Sequence, residues 1–380
     1  MNPLPRVLRL QSIVRLLRLL LLAGLLCGAL AGSVRAAVRA VGEIGLTVSN
    51  LAAEERFFTE VLPFQVMNRG TWEGEDAARL LGEPAGTPTA LDWVRLRLGD
   101  EVITLSRHRA AQPRRIPADS RSFDRWFQHI AIVVKDMDAA YAALRQQGIR
   151  HVSTGPQTLP AWNTNAAGIR AFYFRDPEDH VLELIWFPPG KGDPKWQRDS
   201  ARLFLGIDHT AIVVADTGRS LGFYTNSLGF VVAGASENYG VEQEHLNLVF
   251  GARLRITALR APQGPGVELL EYLTPSGGRA YPSDTRVGDL IFWTTRLRVD
   301  HVERTVAAAR RALEAGASAG PNPSAEIDGP GWNPVTRPSA PAVRGAVPSR
   351  LAGEFILRDP DGHALRLEPA WTEAADAEAP

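Results

Sequence analysis

The chain has 380 residues, of which 45% are apolar and 22% are charged, and its 42 lysines and arginines balance 42 aspartates and glutamates. This is the composition of a folded globular protein, and nucleic acid is excluded as an expected partner because no basic excess is present to neutralise a phosphate backbone. At roughly 100 to 200 residues per domain, the length predicts two domains or an assembly of smaller repeats.

Residues 1–36 have the pattern of a secretory signal peptide. Four arginines precede an uncharged, leucine-rich run of 16 residues between Arg18 and Arg35, which is shorter than the roughly 20 residues that cross a bilayer. We therefore expect a bacterial protein that is exported to the periplasm or secreted, with no membrane contact after cleavage. A membrane anchor and a mitochondrial presequence are the weaker alternatives.

Cysteine chemistry is excluded from the expected mature chain. Cys27 is the single cysteine and lies inside the signal segment. Without it, no cysteine nucleophile, disulfide, zinc finger or iron–sulfur cluster can form.

The remainder of the chain repeats one pattern. Segments 43–50, 129–136 and 209–216 align without a gap, and each has the β-branched, apolar character of a strand. Each segment ends in Asn50, Asp136 or Asp216, residue types that cap helices. The apolar spacing then predicts helices over 52–62, 137–147 and 218–228.

A fourth, blurred copy covers residues 290–299 and is followed by a predicted helix over 302–315. The alignment of this copy with the other three can shift by a few residues. The copies are about eighty residues apart, so four modules, each a strand, a helix and further strands, account for nearly the whole mature chain.

The modules are expected to pair in chain order. The second and fourth modules share a turn of Asp-Pro type, and the segment 188–194 between the second and third is rich in Pro and Gly. This predicts one domain over 37–190 from modules 1 and 2, and another over 200–370 from modules 3 and 4. The second domain carries a Pro-rich insertion at 320–348, and residues 371–380 form a tail.

Four βαβββ modules with His or Glu opening the first strand and Glu on the last strand resemble the vicinal oxygen chelate superfamily. That superfamily includes glyoxalase I, methylmalonyl-CoA epimerase, extradiol dioxygenases, and fosfomycin and bleomycin resistance proteins. The resemblance covers about residues 41–369 and implies an α+β fold in which paired modules form two cup-shaped domains. Each such cup closes around one divalent metal, held by the first and last strands of its modules.

Carried over by position, the resemblance implies a metal site in the first pair of modules, made by Glu43, His129 and Glu183. Thr104 stands where a fourth ligand is common. The resemblance implies one divalent metal, Zn, Ni, Co, Mn or Fe(II), and Glu43 or Glu183 is the expected catalytic base.

A second, weaker site is implied in the other pair of modules, from His209 and Glu268. Its third position is Phe292 or Asp289, with Phe292 favoured, and its fourth is Arg366. A guanidinium cannot ligate a metal. This cup is therefore expected to be degenerate, or to bind an anionic substrate through Arg366.

Loop residues are the remaining candidates for substrate contact. Trp162 and Asn163 lie in a Pro-Ala-Trp-Asn segment that recurs in similar form before the last strands of module 4. Tyr239 and His245 lie in an unusually polar segment that leads into a strand. Loop packing is the equal alternative for Trp162, and a solvated hairpin is the alternative for Tyr239 and His245.

The implied function is metal-dependent isomerase or lyase chemistry on a small oxygen-bearing molecule, through a metal-stabilised enediolate. Ring-cleaving dioxygenation is the first alternative. It ranks below isomerase or lyase chemistry because it prefers two histidines and one carboxylate around iron(II), and the first pair offers only His129. The second alternative is a non-catalytic protein that binds a small molecule, as in bleomycin resistance. The sequence leaves open whether the protein forms a homodimer.

Overall fold

The computed structural model describes residues 38–74, 77–78, 89–109, 112–318, 347–348 and 355–370. The predicted signal segment, the predicted tail beyond residue 370 and most of the insertion lie outside the described residues. Within them, no helix is both long enough and apolar enough to cross a membrane.

Four βαβββ modules follow one another along the chain, as the repeat predicts. Module 1 contains β1 (Val38–Thr47), α1 (Leu51–Arg56), β2 (Gln65–Glu73), β3 (Ala90–Leu98) and β4 (Glu101–His108). Module 2 contains β5 (Gln128–Val134), α2 (Met137–Gln146), β6 (Arg150–His151), β7 (Gln157–Thr158), β8 (Arg170–Arg175) and β9 (Val181–Trp186).

The later modules follow the same plan. Module 3 contains β10 (Phe204–Val214), α3 (Thr217–Leu221), β11 (Val231–Tyr239), a short additional helix α4 (Val241–Asn247), β12 (Arg253–Arg260) and β13 (Gly266–Thr274). Module 4 contains β14 (Trp293–Val299), α5 (Val302–Ser318), β15 (Val347–Pro348), β16 (Phe355–Arg358) and β17 (Ala364–Pro369).

The helices begin where the sequence predicts. The side chains of Asn50, Asp136 and Asp216 each accept a hydrogen bond from a backbone N–H in the first turn of the next helix, which satisfies donors that the helix itself leaves unpaired. Helices α1 and α3 are short and continue as π-helical turns, over Phe57–Val61 and Gly222–Ser227.

Module 1 pairs with module 4, and module 2 pairs with module 3, which we call crosswise pairing. The predicted pairing in chain order is wrong. One sheet joins modules 1 and 4 through antiparallel β1 and β14; we call it the terminal sheet. The other joins modules 2 and 3 through antiparallel β5 and β10; we call it the central sheet. Each module presents the free edge of its first strand, and that edge can pair with any other first strand, so the local sequence does not select the partner.

Each sheet has one face toward the helices that follow its first strands, and we call the opposite face its inner face. One hydrophobic core joins the helix-facing residues of modules 1 and 2, including Ile44, Phe58 and Ile132, and another joins modules 3 and 4. Because side chains alternate along a strand, Glu43 and His129 project to the opposite face from Ile44 and Ile130. The inner faces of the two sheets therefore carry the candidate site residues.

Candidate metal centre in the central sheet

Two histidines and two glutamates lie on the inner face of the central sheet. In the parallel ladders, Ala131 pairs with Glu183 and Ala211 pairs with Glu268. The antiparallel ladder between β5 and β10 pairs Ala211 with His129 and Ala131 with His209. Modules 2 and 3 therefore contribute equivalent positions, and the small alanines between them leave room for the four longer side chains.

Glu183 lies at the centre of this group. Its Oε2 is 3.1 Å from Nε2 of His129 and 3.6 Å from Nε2 of His209, and the latter nitrogen is 3.5 Å from Oε2 of Glu268. The side chain of Glu183 is 6% exposed, whereas that of Glu268 is 20% exposed. Glu183 is thus enclosed between the histidines, and Glu268 stands at the open side.

A buried carboxylate fixes the orientation of His209. Nδ1 of His209 lies 2.9 Å from Oδ2 of Asp208, and the same oxygen accepts a hydrogen bond of 2.7 Å from Arg260. Trp196 donates to the other oxygen, at 2.8 Å. A carboxylate that holds one ring nitrogen of a histidine and leaves the other to the site is the arrangement that tunes metal ligands.

Charges in the group act on one another strongly because the group is buried. Burial alone lowers the pKa of His209. The neighbouring carboxylates of Glu268, Asp208 and Glu183 outweigh burial and raise this pKa to about 9. Burial also raises the pKa of Glu268, and His209 offsets this only in part. The pKa of Asp208 lies below its usual range because His209 and Arg260 outweigh burial.

The group fits a divalent metal. His129, Glu183 and His209 each offer one ligand atom, and these atoms lie within 4.8 Å of one another. Among the described residues, both ring nitrogens of His129 and Nε2 of His209 are buried without a well-aligned hydrogen bond, although carboxylate oxygens lie 3.1 to 3.6 Å from the two Nε2 atoms. Such a state costs free energy unless another group satisfies these atoms. Imidazole and carboxylate are ligands that suit Zn, Ni, Co, Mn and Fe(II).

Aromatic side chains form a wall beside the histidines. The ring of Tyr173 lies 4.8 Å from that of His129, and the ring of Phe127 lies 5.8 Å from it. Burial, with a further contribution from Glu183, raises the pKa of Tyr173 well above its ordinary value. This phenol therefore keeps its proton at neutral pH.

The structure regroups the predicted ligands. His129 and Glu183 lie together as predicted, but Glu43 belongs to the terminal sheet, where it pairs with Arg95 and Arg296 at 2.8 and 2.9 Å. The prediction that Glu43 joins His129 is wrong because modules 1 and 2 do not share a sheet. His209 and Glu268 do not form a second site of their own, since they complete the first.

The terminal sheet holds the other four equivalent positions. Gly45 pairs with Thr104, and Arg296 pairs with Arg366. The counterparts of the central group are therefore Glu43, Thr104, Thr294 and Arg366. The expected position at Phe292 or Asp289 is wrong; Phe292 lies two residues before the true counterpart, on the same face of the strand.

The predicted loop residues meet at the edge of the central sheet. The rings of Trp162 and Tyr239 stack at 4.2 Å, and both side chains are about half exposed. Nδ2 of Asn163 donates to Oδ1 of Asn238 at 2.7 Å. His245 lies on α4 and is exposed. Trp162, Asn163 and Tyr239 therefore form one loop contact, in which His245 takes no part.

Sequence reasoning missed the residues that support the site, namely Asp208, Arg260, Trp196 and Tyr173. One signal was available for Asp208, since an acidic residue inside the apolar segment 203–214 requires a partner. The others come from distant strands or, for Trp196, from the stretch between the two predicted domains, and they carry no local signal.

Comparison with known proteins agrees with this architecture. The model of the family described as Glyoxalase/Bleomycin resistance protein/Dioxygenase superfamily matches residues 40–184 and 206–367. A 2-epi-5-epi-valiolone epimerase from Actinomyces sp is 32% identical over 167 residues, which are 43% of this chain and 87% of that relative. A glyoxalase I variant from Zea mays shares the fold at a TM-score of 0.53 and 14% identity, over 87% of this chain and 94% of the maize chain. A second glyoxalase I variant from Zea mays, at a TM-score of 0.52 and 14% identity, covers 88% of this chain and 93% of its own. The chain thus belongs to the Glyoxalase/Bleomycin resistance protein/Dioxygenase superfamily.

Proposed function

We propose that the chain is a metal-dependent enzyme that moves a proton on a carbon next to oxygen in a small molecule, as an epimerase or isomerase does. The observation that carries this proposal is the group His129, Glu183, His209 and Glu268, in which one carboxylate is enclosed and the other faces the opening. A divalent metal bound here would polarise two adjacent substrate oxygens and acidify the neighbouring C–H. The relative that epimerises 2-epi-5-epi-valiolone supports the same class of reaction.

The residues divide the work by position. His129, Glu183 and His209 would hold the metal. Glu268 would take the proton from substrate and return it, since its side chain is the more accessible of the two carboxylates. Tyr173, which keeps its proton, would donate a hydrogen bond and cannot act as the base. Glu183, predicted both as a ligand and as one of two candidate bases, keeps only the role of ligand in this proposal.

The test uses 2-epi-5-epi-valiolone in D₂O, with the metal-loaded protein and NMR detection. Exchange of one carbon-bound hydrogen for deuterium, with appearance of a second epimer, is expected. Glu268→Gln should lower the exchange rate by roughly 10²- to 10⁴-fold while metal content stays the same. Glu271→Gln is the matched control because Glu271 lies on the same strand, faces the other way and pairs with Arg255. No exchange by the loaded protein would contradict epimerisation of this compound.

One observation favours a second candidate. The sequence offered only one histidine for this site, which argues against ring-cleaving dioxygenation. The central sheet instead brings ligand atoms of two histidines and one carboxylate within 4.8 Å of one another. Oxygen consumption with catechol by the iron(II)-loaded protein, without proton exchange on the epimerase substrate, would favour this chemistry. A protein that retains its small molecule after chelation and turns nothing over would instead be the binding protein of the second alternative.

A further inference from the structure

A carboxylate of module 1 lies against the strand that carries His209. Glu101 is the first residue of β4, in the terminal sheet, and is buried. Its Oε2 accepts a hydrogen bond of 3.0 Å from the backbone N–H of Ile207, two residues before His209. The four residues of the metal centre come from modules 2 and 3, so this contact reaches the centre from another module and another sheet.

The segment between modules 2 and 3 adds a second contact at the next residue of β10. It forms a short 3₁₀ helix, Pro194–Gln197. Nε1 of Trp196 donates to Oδ1 of Asp208 at 2.8 Å, and Nζ of Lys195 donates to Oε1 of Glu101. Two neighbouring residues of this helix therefore link Glu101 to Asp208.

The backbone makes room for these contacts at two glycines. A Cβ atom at Gly206 would overlap Oε2 of Glu101 and would lie 2.9 Å from the ring of Trp196. A Cβ atom at Gly99, in the turn that leads into β4, would overlap the carbonyl oxygen of Leu205. The close approach of module 1 and of the indole to β10 therefore depends on glycine at both positions.

These contacts fall on an irregular stretch of β10. Its ladder with β5 is interrupted between Phe204 and Gly206 and again between Ile207 and His209. A strand irregularity redirects side chains and disturbs the ladder, so its shape depends on the groups that satisfy its backbone. Here the carboxylate of Glu101 satisfies the N–H of Ile207.

The terminal sheet shows that the irregularity itself does not require a carboxylate. Strand β1 is interrupted at the equivalent places, the second of them between Val41 and Glu43. The N–H of Val41, the counterpart of Ile207, donates to the backbone carbonyl of Gln263 at 3.0 Å. A backbone acceptor from a neighbouring turn is therefore sufficient for the fold.

The acidic groups accompany the metal-bearing sheet. Gly42 stands where β10 has Asp208. Counted along the ladders with β1 and β10, Pro265 stands where β4 has Glu101. At these equivalent positions the two carboxylates occur beside His209 and not in the terminal sheet, which points to a role in the site.

We propose that Glu101 is a positioning residue for the metal ligand His209 and acts on it from the terminal sheet. Glu101 holds the backbone of Ile207, and Trp196 holds the side chain of Asp208. Together they fix the irregular stretch from which Asp208 orients the imidazole. The inference rests on the metal centre of the proposed function, but on no particular reaction.

Metal affinity tests the proposal, measured on the full chain with Zn²⁺ and Co²⁺ in competition with a chromophoric chelator. Glu101→Met has similar volume and no carboxylate, and it should weaken binding by roughly ten-fold or more. Glu101→Gln should recover most of this loss, because its amide oxygen can accept from Ile207. The visible spectrum of the Co²⁺-loaded protein should change in Glu101→Met, because the imidazole of His209 is displaced.

Asp289→Leu is the matched control. Asp289 is also a buried carboxylate that pairs with one cation, Arg114, and accepts from a backbone N–H, that of Arg286 at 2.8 Å. It lies in module 4, before β14. We expect it to lose stability in urea, as Glu101→Met does, and to keep the metal affinity and the Co²⁺ spectrum of the wild type.

Combination with Asp208→Asn distinguishes positioning from general loosening of the fold. If both residues act through His209, the double variant should lose less binding free energy than the two single variants lose in sum. Three outcomes would overturn the proposal: Glu101→Met binds metal as the wild type does, Asp289→Leu weakens binding equally, or the two losses are additive.

Should Glu101→Met fail to fold, Trp196→Phe decides, because it removes the donor to Asp208 and keeps an aromatic ring. It should weaken metal binding, and unchanged affinity would overturn the proposal. Metal binding without turnover in the wild type would contradict the proposed function and leave this inference standing. A wild type that binds no metal would overturn both.

Discussion

Asp208 and His209 are neighbours on β10, and the carboxylate of the first lies 2.9 Å from Nδ1 of the second. Adjacent side chains on a regular strand point to opposite faces. The ladder between β10 and β5 is irregular between Ile207 and His209, and this irregularity lets both residues reach the same site. The contact leaves Nε2 of His209 directed at Glu183 and Glu268.

We expect Asp208→Asn to weaken metal binding by about 10- to 100-fold, since loss of such a partner lowers the basicity of the ligand and loosens its orientation. Competition with a chromophoric chelator measures the change. Asp199→Asn is the control because Asp199 is exposed and pairs only with Lys135 in the region described. Equal affinity in wild type and Asp208→Asn would show that His209 needs no such support.

The regrouped ligands predict which substitutions remove the metal. Elemental analysis of the purified protein should find about one divalent metal per chain. His129→Ala, Glu183→Ala and His209→Ala should each abolish it, because too few ligands remain. Glu43→Ala should leave metal content unchanged. Loss of metal in Glu43→Ala with retention in His209→Ala would restore the pairing expected from the sequence.

Glu54 makes the stability of the fold depend on pH, and it lies outside both cups. It is fully buried on α1, and burial raises its pKa to about 10, with Asp176 and Glu178 adding repulsion. The pKa of Glu54 in the folded state is above its unfolded value of about 4.5, so protonation of Glu54 favours the folded state. This stabilisation is fully present below pH 4.5 and is lost progressively as the pH rises toward 10.

Glu54→Gln, which imitates the neutral acid, should therefore raise the free energy of unfolding by more than about 1 kcal/mol at pH 8. The gain should shrink as pH falls toward 5. Urea unfolding at several pH values measures it, with Glu60→Gln as an exposed control on the following turn. A gain that does not vary with pH would contradict an uncharged Glu54.

A buried chain of amides anchors the loop contact at the edge of the central sheet. Asn238 donates to Gln243 at 3.1 Å, Gln243 donates to Asn247, and Asn247 donates to the hydroxyl of Tyr272. Gln243→Met preserves volume but leaves Asn238 and Asn247 each with an unpaired buried group. We expect it to cost about 1–3 kcal/mol of unfolding free energy, measured by thermal or urea unfolding. The neighbouring Glu242→Gln should change little.

The sequence predicted the modules well because their signals are local. Asn50, Asp136 and Asp216 cap helices whose bonds lie within a few residues, and Glu183 alternates with Leu182 and Leu184 on one strand. Repeat and alternation together therefore identified the positions of His129, Glu183, His209 and Glu268.

The assembly was not predictable in the same way. Whether β1 pairs with β5 or with β14 depends on edges that all four modules share, and this choice decides whether Glu43 or His209 joins His129. In module 4, Phe292, Thr294 and Arg296 all face one cavity. Alternation identifies that face but cannot identify the position along it.

The crosswise pairing also interlocks the two halves of the chain. A cut in the segment 188–194 would release no independent cup, because each sheet needs one module from either side of the cut. Each half made alone would lack the native partners of both its first strands. The two halves produced together should reassemble into one molecule, so that a chain severed between Trp186 and Phe204 remains a folded whole.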